Sequence, residues 1–252
     1  MIPKVIHFCW FGKNKYSKVI DRCIKSWQLK MPDFEIKKWT EDNFDITQNE
    51  YCRQAYERKK WAFVSDYARL KIIFDNGGIY LDTDVEVIRS LSPLVSTGVG
   101  FLGFQNSEEA TTGLGFAAAP HNNVVGEMLK VYEKRQFIKN NFECNEIPCP
   151  AANTIALINC GLRTGLIYSK QIQSLDGIKV YPVDYFNPMD YDTGKLIITD
   201  NTYTIHRYQA SWVGRDKLIK RVVKSIVPKF FLEWRTIKLA RNHMQQLQNE
   251  IG

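Results

Sequence analysis

Asp75-Asn76-Gly77-Gly78-Ile79-Tyr80-Leu81-Asp82-Thr83-Asp84-Val85-Glu86-Val87 sets a helix end, a glycine pair, a strand and a row of acids in quick succession. Upstream, residues 61–76 carry Phe63, Tyr67, Leu70 and Phe74 at i, i+4, i+7 and i+11, one apolar stripe of an α-helix. Gly77 and Gly78 end it, because glycine enters the left-handed region without steric cost. Residues 79–87 then predict a strand. Successive side chains of a strand alternate faces, so Asp82, Asp84 and Glu86 are expected on one side and Thr83, Val85 and Val87 on the other. Carboxylates that close repel unless a cation lies near, and their oxygens suit Mg²⁺ or Mn²⁺ held together with substrate phosphates. A solvated strand face is the plain alternative. Asp66 and Arg69 sit three apart on the preceding helix, off its stripe. They form either a surface ion pair or a pair that grips sugar hydroxyls, Asp66 accepting and Arg69 donating.

Strand and helix signals also alternate ahead of this stretch. Residues 5–10 read as a buried strand, and Ser17 caps a helix reaching residue 29 with Val19, Cys23 and Trp27 at helical spacing. Met31-Pro32-Asp33 breaks it, residues 34–39 read as a second strand, and Thr40 with Glu41-Asp42-Asn43 opens a turn or helix. The strand–helix–strand–helix–strand order predicts right-handed crossovers and a largely parallel sheet, an α/β fold. Further on, strands are expected at 101–104, 115–118, 178–181 and 203–207, and a helix at 122–134. Pro148, Pro150, Pro182 and Pro188 punctuate long loops, where acceptor pockets form.

The 252 residues are 44% apolar and 24% charged, an ordinary globular balance without repeats or low-complexity tracts. Residues 215–241 hold nine basic side chains against Asp216 and Glu233, which accounts for the whole net charge of +7 and leaves the rest of the chain neutral. Two helices split at Pro228 are expected there. The division is a domain over 1–214 and a basic helical tail over 215–252. The six cysteines follow no disulfide framework, and reduced thiols are expected. The opening run lacks a basic leader, a long apolar core and a small-residue cleavage site, and no window reaches 18 uncharged apolar residues, so neither a signal peptide nor a membrane span is predicted. These readings imply a cytoplasmic location.

Ser65-Asp66-Tyr67-Ala68-Arg69, followed by 75–84, resembles the signature of glycosyltransferase family 32, the DXD family of bacterial capsule and lipopolysaccharide enzymes, fungal mannosyltransferases and, more distantly, the glucosylating domains of clostridial toxins. Ile2 to Gly12, Ser26-Trp27 and the 32–39 segment extend the resemblance over residues 1–90, with a weaker echo at His206 and Ser211-Trp212. The resemblance implies a GT-A type nucleotide-sugar-binding fold and transfer with retention of configuration. It implies that Trp10 stacks on the base, uracil for a UDP-sugar, and that Asp66 and Arg69 bind the donor sugar. Asp82 would meet the ribose and the metal, and Asp84 would be the principal ligand of Mn²⁺ or Mg²⁺. Ser211 and Trp212 would close over the metal and diphosphate, and His206 would supply a further metal ligand. Each residue has a simpler reading: a core aromatic for Trp10, a structural histidine for His206, a packing residue for Trp212.

The implied donor is a UDP-hexose or UDP-N-acetylhexosamine. Retention by double displacement requires a carboxylate nucleophile, which the sequence does not single out; same-face attack, which needs no protein nucleophile, is the route the resemblance implies. Leu218, Ile219, Val222, Val223 and Ile226 beside basic neighbours, then Phe230, Phe231, Trp234 and Ile237, predict a helix that lies on an anionic membrane surface. A lipid-linked oligosaccharide is then the natural acceptor. Packing of the tail on the domain, or on another subunit of a homo-oligomer, is the alternative. Nucleic acid is not expected, because the aromatics accompany aliphatics and not an exposed basic sheet. Competing functions are a metal-dependent phosphoester hydrolase or nucleotidyltransferase, a non-catalytic nucleotide-sugar-binding module, and a transferase with a protein acceptor.

Overall fold

The computed structural model describes residues 1–139, 141–209 and 227–252. β1 (Val5–Cys9) is apolar apart from His7 and almost wholly buried, as suits a strand covered on both faces. Ser17 caps α1 (Lys18–Lys30) by accepting the Ile20 N–H, and the helix buries Ile20, Cys23 and Trp27. β2 (Glu35–Trp39), α2 (Glu50–Glu57), α3 (Trp61–Asn76), β3 (Gly78–Tyr80), β4 (Val85–Val87) and α4 (Ser92–Val95) follow. The second half contributes β5 (Gly100–Phe104), β6 (Ala110–Thr111), β7 (Phe116–Ala118), α5 (Asn123–Glu133), α6 (Cys149–Asn159), β8 (Gln173–Leu175), β9 (Ile178–Tyr181), α7 (Val183–Phe186), β10 (Thr204–His206) and α8 (Lys229–Ile251).

An eight-stranded sheet runs β2-β1-β3-β7-β5-β9-β8, with β6 attached to β5. β1 is parallel to β2 and β3, and β5 to β9, whereas β7 is antiparallel to both its neighbours. β2, β1, β3, β5 and β9 therefore point one way, and β6, β7 and β8 the other. The expected α/β class with a mostly parallel sheet is borne out. Alternation across the sheet divides the core in two. Ile6, Phe8, Ile79, Leu81, Phe101 and Ala117 pack with Trp27 of α1, while Cys9, Tyr80, Leu102, Phe116 and Ala118 pack with α3, α5 and α6.

The strand expected over 79–87 is two strands in two sheets. β3 ends at Tyr80, the Leu81 N–H donates to His7 O at 3.0 Å, and the Val85 N–H closes a turn onto Asp82 O at 2.9 Å. β4 then pairs antiparallel with β10. Continuation would have driven carboxylates between two helical layers, at a desolvation cost that a turn avoids; Asp and Thr also favour turns through local hydrogen bonds. Asp82, Asp84 and Glu86 consequently do not share one strand face. Ser26 and Trp27 hold the displaced β4: Ser26 Oγ accepts the Val87 N–H at 2.9 Å, and Trp27 Nε1 donates to Val85 O at 2.7 Å.

Two other expectations are corrected. α3 is buried well beyond its predicted stripe, with Val64, Asp66, Ala68, Arg69, Ile72 and Ile73 inside and Phe63 and Phe74 only half-buried, because the helix lies between the sheet and helices α2 and α5. The proline-punctuated loop expected around 148–150 is the start of α6. Pro148 is its N-cap and Pro150 lies in its first turn, where proline's missing N–H costs nothing. Residues 149–157 are all buried, so no polar face creates a readable period.

Residues 210–226, with Ser211, Trp212 and the first of the two expected tail helices, lie outside the described residues. α8 docks on the domain through its far half: Ala240 and Leu247 are buried, Asn145 Nδ2 donates to Glu250 Oε2 at 2.7 Å, and Arg241 pairs with Glu108 at 3.3 Å. Its near half leaves Phe230, Phe231 and Trp234 exposed. No helix among the described residues is long and apolar enough to cross a membrane. All six cysteines are free.

Candidate active site

The carboxyl ends of the neighbouring parallel strands β1 and β3 release Trp10 on one side and the Asp82–Asp84 turn on the other, the edge at which open α/β sheets bind ligands. Behind the turn, α3 presents Asp66 and Arg69, both buried. Arg69 Nη2 donates to Asp66 Oδ1 at 2.7 Å, its Nη1 reaches Asp82 Oδ2 at 3.4 Å, and its Nε donates to Ser65 O at 3.0 Å. The pair is therefore not the surface ion pair of the simpler reading. Asp82 Oδ1 accepts the Tyr80 hydroxyl at 3.0 Å. From 122 residues away, β10 brings His206, whose Nε2 lies 3.1 Å from Asp84 Oδ1. The Gln209 N–H donates to Asp84 Oδ2 at 2.8 Å.

Ligand atoms of Asp82, Asp84 and His206 all lie within 4.8 Å of one another. Two carboxylates and an imidazole form a donor set suited to Mn²⁺ or Mg²⁺. The buried His206 Nδ1 has no hydrogen-bond partner among the described residues, so the ring keeps an uncommitted nitrogen while Nε2 faces Asp84. These residues fit a divalent cation.

Their environments drive the two acids apart. Burial pushes the Asp82 carboxyl up to about 6 against the pull of Arg69, and neighbouring Asp84 adds to the rise. Burial acts on Asp84 too, but the His206 charge and hydrogen bond, with the Gln209 N–H, outweigh it and bring Asp84 down to about 2. Burial opposes the charged His206, yet Asp84 and Asp82 raise it above its ordinary value. Neighbouring groups displaced in opposite senses are the pattern expected of a working site.

Trp10 is half-buried; its Nε1 donates to Asn14 O at 2.7 Å and its ring meets Tyr16 edge-on at 4.6 Å. It lines an open cleft of about 570 Å³ with Lys13, Tyr16, Lys38, Thr40 and Glu41, a cleft that neither Asp82 nor Asp84 lines. Sequence reasoning missed three features beside the acids. Tyr80 binds Asp82. Gly113 sits so close that a Cβ there would fall 3.0 Å from Asp82 Oδ2 and 3.1 Å from Arg69 Nη1; its loop is held by Asn153 Oδ1, which accepts from Thr112 N–H at 3.1 Å and Thr112 Oγ1 at 3.0 Å. Tyr208 packs its ring on His206 at 4.2 Å. Tyr80 was within reach, since it lies two residues before Asp82; Gly113 and Tyr208 gave no local signal.

Fold and site together define an α/β protein with an acidic, histidine-completed motif at the carboxyl edge of its parallel strands. Residues 17–99 match the family described as the glycosyltransferase sugar-binding region containing the DXD motif, so the resemblance read from 65–84 is borne out over that stretch. It is 24% identical over 172 residues to the "Subversion of eukaryotic traffic protein A" of Legionella pneumophila, a match covering 56% of this chain but only 27% of that protein. It is 23% identical over 230 residues to an uncharacterized glycosyltransferase of Acanthamoeba polyphaga mimivirus, covering 87% of each. Among solved structures, PaToxG glycosyltransferase overlaps 63% of this chain and 69% of its own at 17% identity, with a TM-score of 0.47. At that level the superposition carries no weight, and the fold class rests on the chain's own strand order.

Proposed function

We propose that this chain is a metal-dependent, retaining glycosyltransferase of GT-A type that moves a hexose or N-acetylhexosamine from a UDP-sugar to a growing, lipid-linked bacterial surface polysaccharide. The observation that carries the reading is the meeting of Asp82, Asp84 and His206 beside the buried Asp66–Arg69 pair. A Mn²⁺ or Mg²⁺ ion held by the first three would supply positive charge opposite a departing diphosphate. Asp66 accepts from a sugar hydroxyl and Arg69 donates to one, each preset because the pair is buried and mutually bonded. Trp10, half-exposed over its cleft, offers a face to the base. Residues 1–214 form the catalytic unit and 215–252 its extension, with Ser211 and Trp212 as a closing segment.

The acceptor assignment draws on the tail. Phe230, Phe231 and Trp234 are exposed beside Arg235 and Lys238, a basic aromatic face suited to an anionic lipid surface on the cytoplasmic side. Packing against another copy of the chain is the competing use of that face.

The test is incubation with UDP-glucose, UDP-galactose, their N-acetyl forms and GDP-mannose, with Mn²⁺ and glycan acceptors. Transfer with retained anomeric configuration is expected for one UDP-sugar, and Asp84→Ala should lower its rate by about a thousandfold or more, several kcal/mol of barrier. Sugar release without transfer in every mixture would favour the hydrolase reading, and full function in Asp84→Ala would favour a non-catalytic binding module.

A further inference from the structure

Tyr208 holds the left-handed conformation, φ 49°, that bulky residues rarely adopt. The conformation has a local consequence. The Arg207 N–H donates to Asp84 O at 2.9 Å and the Gln209 N–H to Asp84 Oδ2 at 2.8 Å, so the backbone on both sides of Tyr208 clasps the same aspartate. The Tyr208 ring meets the His206 ring at 4.2 Å with an interplanar angle of 63°. Its hydroxyl donates to Asn187 Oδ1 at 2.7 Å, and Asn187 Nδ2 donates to Gln105 O at 3.1 Å, which anchors the phenol to the segment following β5.

A histidine that ligates a metal is normally aimed by its second ring N–H, bonded to a carboxylate or carbonyl. His206 Nδ1 is buried and has no such bond among the described residues. The ring that packs on it and the backbone turn that fixes its partner Asp84 both belong to Tyr208. We infer that Tyr208 is a positioning residue that, through its ring and its backbone turn, sets the His206 imidazole and the Asp84 carboxylate for a divalent cation. The inference rests on the cation reading of the Asp82–Asp84–His206 group.

The test measures Mn²⁺ affinity of the full chain without nucleotide, by the electron paramagnetic resonance signal of free Mn²⁺, alongside the melting temperature. Tyr208→Phe keeps the ring and should bind within about threefold of the wild type. Tyr208→Asn, whose short side chain tolerates the left-handed backbone but lacks the ring, should bind about 10- to 100-fold more weakly while still melting cooperatively. A folded Tyr208→Asn with undiminished affinity overturns the inference, since a packing role would lower only the melting temperature. Should that variant not fold, Tyr208→Gly, which takes the left-handed backbone without steric cost and also lacks the ring, replaces it: a loss of about tenfold or more supports the inference and a smaller one overturns it. A wild type that binds no Mn²⁺ sinks the cation reading as well, which separates the two failures.

Discussion

His7 is buried between two hydrogen bonds: Nε2 donates to Gly77 O at 3.1 Å, and Nδ1 accepts from Trp39 Nε1 at 3.0 Å. Both are satisfied only by the neutral ring, and burial pulls its pKa down from 6.5 to about 4. The unfolded chain takes up a proton below pH 6.5 and the folded chain does not, so the stabilisation is complete above pH 6.5 and disappears as the pH falls toward 4. The loss is about 3 kcal/mol from this residue. Urea unfolding at pH 7.5 and pH 4.5 should show it, and a His7→Gln variant should show a correspondingly flatter pH dependence; an unchanged slope would remove His7 as the cause. The Asp66–Arg69 spacing was visible in the sequence, but its burial was not, because Tyr67 and Leu70 marked only part of a face that the fold covers almost completely.

At the level of elements, α3 and the glycine pair were legible because helical period and left-handed glycines are local properties. Gly78, at φ 102°, has Val5 O 2.8 Å from where a Cβ would stand, so the strand after the helix can draw close to β1 only with glycine there. α6 was illegible for the opposite reason: a helix buried on every side has no period to read. The basic tail was read as amphipathic, and α8 does carry an apolar face, but part of that face is already in use. Leu247 is fully buried where α8 meets the domain. Leu247→Ala should cost about 2–5 kcal/mol in urea unfolding. A cost below 0.5 kcal/mol would mean that α8 stands away from the domain in solution.

For the whole molecule, the exposed aromatics Phe230, Phe231 and Trp234 lie at one end of α8, in the same stretch as the exposed Arg235 and Lys238. Deleting the tail would remove Leu247 from its seat and confuse lipid binding with instability. Replacing Phe230, Phe231 and Trp234 together by serine avoids this, since all three are exposed. Sedimentation with vesicles rich in phosphatidylserine should fall at least about tenfold, given about 0.8 kcal/mol per buried methylene-sized group, and the melting temperature should hold. Equal sedimentation would retire the membrane reading, and a change from a defined oligomer to monomer in the same variant would replace it with contact between copies.

The sequence by itself determined the elements whose signals are local: α1, α3 and α5, the strands of the parallel half, and the Asp-Thr-Asp motif with its ion-pair neighbours three residues apart. Only the tertiary structure decided that the motif is a turn and not a strand, that Asp66 and Arg69 lie inside, and that Tyr208 and Gly113 arrive at the same acids as His206, which the resemblance already implied as a metal ligand. The physical reason is range. Periodicity and glycine conformation act over a few residues, whereas burial and the meeting of groups 122 residues apart depend on how the whole chain closes around its sheet.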